Sequence, residues 1–246
     1  MPKIRNLYPG GNTCYGFYSF YDYMVSPEVE RKIILKGGPG VGKSSFMKKM
    51  AQDFLNQGYD IEYHWCSSDN ESLDGIVIGN QQVCILDGTA PHMVDPRYPG
   101  AVDEIINLGN YWQQASLHQN RSRIVDLTCK VSISFERAYM RLRESKMAMA
   151  EWESYYREAR NNETVNRNIM ALTGDFLSGL TGDRQKIRHM FPGAITPGGL
   201  VSKIDSLIES DYSLFAVQGN PGSGIEDLFR HAEQMLRLVT VETEVY

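Results

Sequence analysis

The spacing of apolar residues changes several times along the chain, and each change marks an element. The run Lys32-Ile33-Ile34-Leu35-Lys36 is an apolar centre between charges and predicts a strand. A glycine cluster follows. After it, Phe46, Met50 and Phe54 recur four apart within Ser45 to Leu55, which predicts a helix carrying these three on one face and ending near Gly58. Two more runs, Asp60 to Cys66 and Val83 to Asp87, read as strands separated by a polar stretch. Strands alternating with helices predict an α/β fold built on a parallel sheet flanked by helices.

Further on, the period is helical over a much longer distance. From Leu117 to Arg160 apolar residues such as Ile124, Val131, Phe135, Leu142, Met149 and Tyr156 recur mostly at helical spacing with charges between them, which predicts one long amphipathic helix. A break at Asn161-Asn162 and a second run through Val165, Ile169, Leu172, Phe176 and Leu180 predict an inserted α-helical hairpin. Its Met and aromatic stripe reads as a packing surface. The expected organisation is therefore a core over 1–115, a helical arm over 116–188 and a third unit over 189–246.

The glycine cluster carries the chemistry. Residues 37 to 44 read Gly37-Gly38-Pro39-Gly40-Val41-Gly42-Lys43-Ser44, a complete G-x-x-x-x-G-K-[ST] phosphate-binding loop between a strand and a helix. In such a loop the backbone N–H groups from Gly38 to Ser45 converge on phosphate oxygens, Lys43 neutralises their charge and the Ser44 hydroxyl coordinates Mg²⁺. The helix behind it points its positive dipole end at the same place. Asp87, at the end of an apolar strand, fits the second half of this machinery, an acid that holds Mg²⁺ through water.

Other polar residues are weaker candidates. Gly88 follows Asp87, so no glutamate stands next to it to activate water. Thr89, His92 and Arg97 lie in the loop beyond and are able to meet phosphate oxygens. Asp69, in the hydroxyl- and carboxylate-rich stretch after the second strand, is placed either to act as a general base or to cap a helix. Arg184, Lys186 and Arg188 are candidates for a phosphate clamp.

Composition narrows the class without choosing a function. The chain has 246 residues, 42% hydrophobic and 22% charged, as expected of a soluble globular protein. It contains no apolar run of membrane-spanning length, and its N-terminus lacks a signal-peptide pattern. The four cysteines form no C-x-x-C pair, so they read as reduced thiols of a cytoplasmic protein. A net charge of −5 argues against a dedicated nucleic-acid binder, and without a membrane-spanning run no membrane partner is expected. The charge is uneven. Residues 109 to 190 hold 13 Lys/Arg and 9 Asp/Glu, a basic arm on an acidic body.

The C-terminal part repeats two earlier blocks in the same order. Gly219, Pro221, Gly222 and Gly224 correspond to Gly37, Pro39, Gly40 and Gly42, while Phe191-Pro192-Gly193 through Ser202 echoes Tyr8-Pro9-Gly10 through Ser19. This is the signature of an internal duplication. In the second copy Ile225 replaces Lys43 and Glu226 replaces Ser44, so a carboxylate stands where phosphate charge would sit. The expectation is a partial, degenerate second loop with a structural role, lacking its own metal-binding strand.

Taken together, Gly10-Gly11-Asn12-Thr13, the loop at 37–44, Cys66-Ser67-Ser68-Asp69, Asp87-Gly88-Thr89-Ala90-Pro91-His92 and Tyr98-Pro99-Gly100 resemble a bacterial family of tandem P-loop ATPases, found mainly in Gram-positive and often spore-forming species. The resemblance spans nearly the whole chain. It implies a P-loop NTPase fold with ATP and Mg²⁺ as ligands, bound at Gly37 to Ser45 with Asp87, and ATP hydrolysis. Typical members carry two complete halves, unlike this chain. ATP is favoured over GTP by this resemblance and by the lack of an N-K-x-D motif. The expected activity is slow Mg²⁺-dependent ATP hydrolysis coupled to movement of the arm. A nucleotide or small-molecule kinase and a nucleotide-sensing scaffold without turnover are the alternatives. A homodimer through an unpaired sheet edge is compatible with the sequence; a protein partner is not specified by it.

Overall fold

The computed structural model describes residues 2–80, 82–90, 93–178, 188–209 and 214–236. Its centre is a six-stranded sheet made of β1 (Ile4–Leu7), β4 (Arg31–Lys36), β5 (Ile61–Trp65), β6 (Leu73–Ile78), β7 (Val83–Asp87) and β8 (Asp103–Asn107), in the order β1-β5-β6-β7-β4-β8. The neighbouring pairs β1–β5, β4–β7 and β4–β8 are parallel. Only β6 runs against its neighbours, a departure from the expected parallel sheet. Its connections explain it: residues 66–72 and 79–82 are too short for the crossover that parallel neighbours need.

β6 lies within what reads in sequence as a polar spacer. All six of its residues are buried. Gly75 in its middle leaves room for the Met24 side chain, whose Cε would overlap a Cβ there.

The two faces of the sheet are covered differently. On one, α1 (Lys43–Asn56) packs Met47 and Ala51 against Ile33, Leu35, Ile76, Ile78 and Ile85. The buried stripe of α1 is therefore rotated from the expected one. Phe46 is 39% exposed, and Met50 and Phe54 flank the core without being its centre. Removing Met47 to Ala would cost about 2–5 kcal/mol by lost burial and an unfilled cavity. The opposite face is covered by the segment around the 3₁₀ turn Tyr21–Tyr23, where Tyr21, Met24 and Val29 meet Ile34, Val77, Cys84 and Leu86.

Two small hairpins sit beside this sheet, β2 (Gly10–Thr13) with β3 (Gly16–Ser19), and β9 (Gly193–Thr196) with β10 (Gly199–Ser202). They match bond for bond. Thr13 Oγ1 donates to Gly16 O at 2.9 Å and Thr196 Oγ1 to Gly199 O at 2.8 Å. The amides of Phe20 and Lys203 donate to Pro9 O and Pro192 O, both at 2.7 Å. The two units also face one another, because Tyr8 and Phe191 exchange backbone hydrogen bonds of 2.8 and 3.1 Å. Leu7, Tyr8, Phe20, Met190, Phe191 and Ala194 form the apolar cluster around that exchange.

The arm comprises α2 (Gln114–Gln119), α3 (Arg121–Ala159) and α4 (Asn162–Leu177). α3 has 39 residues, none of them buried. The break falls where expected: Arg160 is extended and the Asn161 side chain caps α4 by accepting from the Thr164 amide at 3.0 Å. The partner of α4 differs from the expected hairpin, however. It packs against α5 (Ile225–Leu236) instead of lying along α3. Leu180 lies outside the described residues.

Arg188 ties these parts together. Its guanidinium forms a fork on the Glu62 carboxylate, with one bond of 2.9 Å, and donates to Met24 O at 2.7 Å and Tyr23 O at 2.6 Å. This overturns its expected role as a phosphate clamp, for its donors are committed to holding β5 against the 20–29 segment. Arg184 and Lys186 lie outside the described residues. Burial works against the Glu62 charge, but Arg188 and His64 outweigh it and hold the carboxyl well below the usual carboxylate range. Burial pushes the fully buried His64 the other way, toward its neutral form.

Both shifts make stability fall with acid. Below pH about 6.5 the unfolded chain takes up a proton on His64 that the native state resists, and below about 4.3 it takes up one on Glu62 that the native state also resists. Urea unfolding midpoints should therefore drop progressively from pH 7.5 to 4. Glu62→Gln should lower stability at pH 7 by about 3 kcal/mol, by leaving Arg188 buried without its counter-charge, and should flatten the part of the acid dependence that lies below pH about 4.3. An unchanged slope in the variant would contradict this assignment.

Candidate functional site

The loop from Gly37 to Gly42 joins the carboxyl end of β4 to the first turn of α1. Gly40 at φ 78° and Gly42 at φ 91° hold left-handed backbone that a side chain would strain, and Gly42 is the N-cap of α1. The first amides of a helix have no intrahelical partners, so the loop mouth is a ready anion site. Pro39 and Gly40 are exposed, Gly38 and Val41 line the turn, and Ser45, the third residue of the helix, is exposed.

Lys43 is the first helical residue and only 8% exposed. Its ammonium folds back across the loop, donating to Gly37 O at 2.6 Å and Gly38 O at 2.9 Å, and lies 3.4 Å from Asp87 Oδ2. The parallel register that sets Leu35 opposite Asp87 brings this carboxylate to the loop. Asp87 Oδ1 accepts from the Thr89 amide at 2.9 Å. Ser44 Oγ accepts from the Leu73 amide at 3.0 Å and so joins the loop to β6. Lys43, Ser44 and Asp87, separated by over forty positions in sequence, are thus linked at one sheet edge.

The Thr89 hydroxyl beside Asp87 is buried and has no hydrogen-bond partner among the described residues. A buried hydroxyl left unpaired is destabilising unless a ligand or water meets it. The Ser44 hydroxyl and the Asp87 carboxylate are oxygen groups of the kind that suits Mg²⁺.

The remaining sequence candidates fall elsewhere. Asp69 closes the turn between β5 and β6: its carboxylate accepts from the Ser72 hydroxyl at 2.6 Å and the Glu71 amide at 3.2 Å, and these bonds hold its pKa below the ordinary value. No helix begins there, so it caps a turn. Arg97 lies 3.8 Å from Asp22 and lines a cavity of about 350 Å³ on the sheet face opposite α1, with Lys32 and Asp103. His92 lies outside the described residues.

Sequence reasoning passed over two residues. Lys36, at the end of β4, donates to Gly88 O and Val94 O, both at 2.8 Å, and pins the loop that follows Asp87. Trp112, after the 3₁₀ turn Leu108–Tyr111, lies against Gly38 and Gly109. Its signal in the sequence is indirect: Gly38 occupies a motif position open to any residue, and a Cβ there would stand 3.3 Å from Trp112 Cζ2.

The second glycine loop has similar backbone and different contents. Gly222 and Gly224 have φ of 78° and 110°, and Leu228 N–H bonds Gly224 O at 3.0 Å as Phe46 N–H bonds Gly42 O at 2.9 Å. Instead of an open mouth it receives the elbow of the arm. Arg160 donates to Gly222 O at 3.3 Å and to Asp227 at 3.1 Å, and Val165 packs over Gly224.

A loop of this sequence and geometry at the carboxyl edge of a mostly parallel, helix-flanked sheet defines a P-loop NTPase-like α/β domain. A family model described as RNA helicase matches residues 33–122, which run from β4 through both Lys43 and Asp87 to the start of α3. No curated protein and no solved structure matches the chain. Among the described residues, no helix is long and apolar enough to cross a membrane.

Gly222→Ala tests the elbow contact. A methyl there would collide with Glu153 O as well as strain the backbone, so the variant should lose about 1–3 kcal/mol of stability. Nucleotide binding at the first loop should survive. Unchanged thermal unfolding would contradict this packing.

Proposed function

We propose that the chain is a Mg²⁺- and ATP-binding P-loop NTPase that hydrolyses slowly and whose nucleotide state moves the helical arm. The observation that carries this reading is the Lys43 ammonium, buried against the loop carbonyls and 3.4 Å from Asp87. When ATP enters, Lys43 exchanges Gly37 O and Gly38 O for β- and γ-phosphate oxygens, and the amides from Gly38 to Ser45, all but that of Pro39, cradle the chain of phosphates. Ser44 and Asp87 would hold Mg²⁺, which would supply neutralisation of the phosphate charge. Slow turnover fits the residues around the site. Gly88 offers no carboxylate after Asp87, and Asp69 is engaged within the β5–β6 turn.

Coupling to the arm has a short route. Trp112 touches the loop at Gly38, and α2 begins two residues later at Gln114. α3 then meets the β2–β3 unit through Tyr139 Oη, which donates to Asn12 Oδ1 at 3.1 Å, and through Lys146 over the Tyr15 ring. The matched hairpins and glycine loops support reading the chain as a duplicated tandem P-loop ATPase with a degenerate second half. A cytoplasmic location and a homodimer across the exposed β8 edge belong to the same proposal.

A second reading, phosphoryl transfer to an acceptor, is favoured by the absence of a water-activating acid beside Asp87. Calorimetry with Mg²⁺-ATP tests the shared premise: Lys43→Ala should weaken binding at least about 100-fold, near 3 kcal/mol, and equal affinity would contradict the site. Phosphate release without added acceptor then supports the ATPase, and acceptor-dependent ADP release supports the kinase. Tight binding with no product identifies a sensor. Because the matching family model carries an RNA helicase description, polyribonucleotide belongs among the additions; stimulation would assign RNA as an effector.

A further inference from the structure

Sheet order gives the bound nucleotide a direction. Asp87 ends β7, on one side of β4, and Ser44 is tied to β6 beyond it, whereas β8 lies on the other side of β4. Metal and terminal phosphate, held by Ser44 and Asp87, therefore occupy the β7 side. The Gly37–Gly38 rim, toward the end of β8, is the side left for the nucleoside. There the chain turns through Leu108–Tyr111 and sets Trp112 on that rim.

Trp112 combines close contacts to the loop with open surface. Its ring lies against Gly38, where a Cβ would stand tight at 3.3 Å, and against Gly109, and its amide donates to Gly109 O at 3.2 Å. The turn beneath it is fixed by Asn107, whose side chain accepts from the Gly109 amide at 2.9 Å and donates to Asn110 at 3.2 Å. Even so, Trp112 remains 42% exposed. An indole normally gains by burial, so a rigidly seated one left open beside an anion site has a surface suited to a flat apolar ligand. Tyr111 next to it is 84% exposed and makes no such platform.

We infer that Trp112 is the nucleobase platform of this site, stacking on the base of a nucleoside triphosphate whose phosphates occupy Gly37 to Ser45. The inference rests on the proposed nucleotide site and adds the part of the ligand that the phosphate loop does not read. Stacking uses the π-face that every base has, so selection among bases is weak. Purines, with the larger ring, bind better than pyrimidines. Asn107 is engaged within its own turn and does not read the base edge.

The test compares Mg²⁺-ATP with Mg²⁺-tripolyphosphate, which has the same charged chain and no base, by calorimetry on the full chain. Trp112→Ala should weaken ATP roughly 5- to 100-fold and leave tripolyphosphate unchanged. Trp112→Phe should recover most of the ATP affinity, and indole fluorescence should respond to ATP in the parent chain but not in that variant. Equal ATP affinity in Trp112→Ala overturns the platform. Parallel loss of both ligands also overturns it, showing that Trp112 shapes the loop instead. Failure of the phosphate site itself reads differently, as a parent chain that binds neither ligand, and it removes the platform along with the site.

Discussion

The pairing of β4 with β7 places one carboxylate next to one ammonium, and the site follows from that register. Leu35 stands opposite Asp87, and the Asp87 carboxylate meets Lys43 across the loop. Because side chains alternate along a strand, a slip of one residue would send Asp87 to the other face and bring Leu86 to the loop. Burial on both faces resists such a slip. Ile33, Leu35 and Ile85 are locked against α1, while Ile34, Cys84 and Leu86 are locked against the 20–29 segment. Lys36 adds a polar clamp by holding the chain just beyond Asp87.

The same backbone devices occur twice with different occupants. At the first loop an ammonium lies under an exposed turn, next to a neighbouring strand, β7, that supplies an acid. At the second, Ile225 and Glu226 stand in the places of Lys43 and Ser44, and the turn is filled by Arg160 and Val165 from the arm. Glycine survives at Gly222 for a packing reason, close approach of the Glu153 carbonyl, even where phosphate chemistry does not require it. The mutual Tyr8–Phe191 bonds and the Arg188–Glu62 fork join the two units, so the second stabilises the body that carries the first.

Much of this was legible in the sequence where one segment carried its own signal. β4, β7, the loop, α1 and the break before α4 have local periodicity, turn residues or motif spacing. β6 escaped because its apolar run is short, interrupted by Gly75 and buried on both faces, so it shows no alternation. Partner choice escaped for another reason: Ile169 and Phe176 mark an apolar face of α4 without saying that α5 covers it. Arg188 looked like a phosphate ligand because its charge is visible in sequence while its counter-charge, Glu62, lies on a distant strand. Trp112 could be found only through the glycine it rests on.

The central claim is that one loop of the two takes a nucleotide. The stoichiometry of Mg²⁺-ATP binding to the intact chain, read from the inflection of a calorimetric titration, tests it most directly. One nucleotide per chain is the predicted result. Two per chain would contradict the filled, carboxylate-bearing second loop, and none would contradict the Lys43–Asp87 site itself.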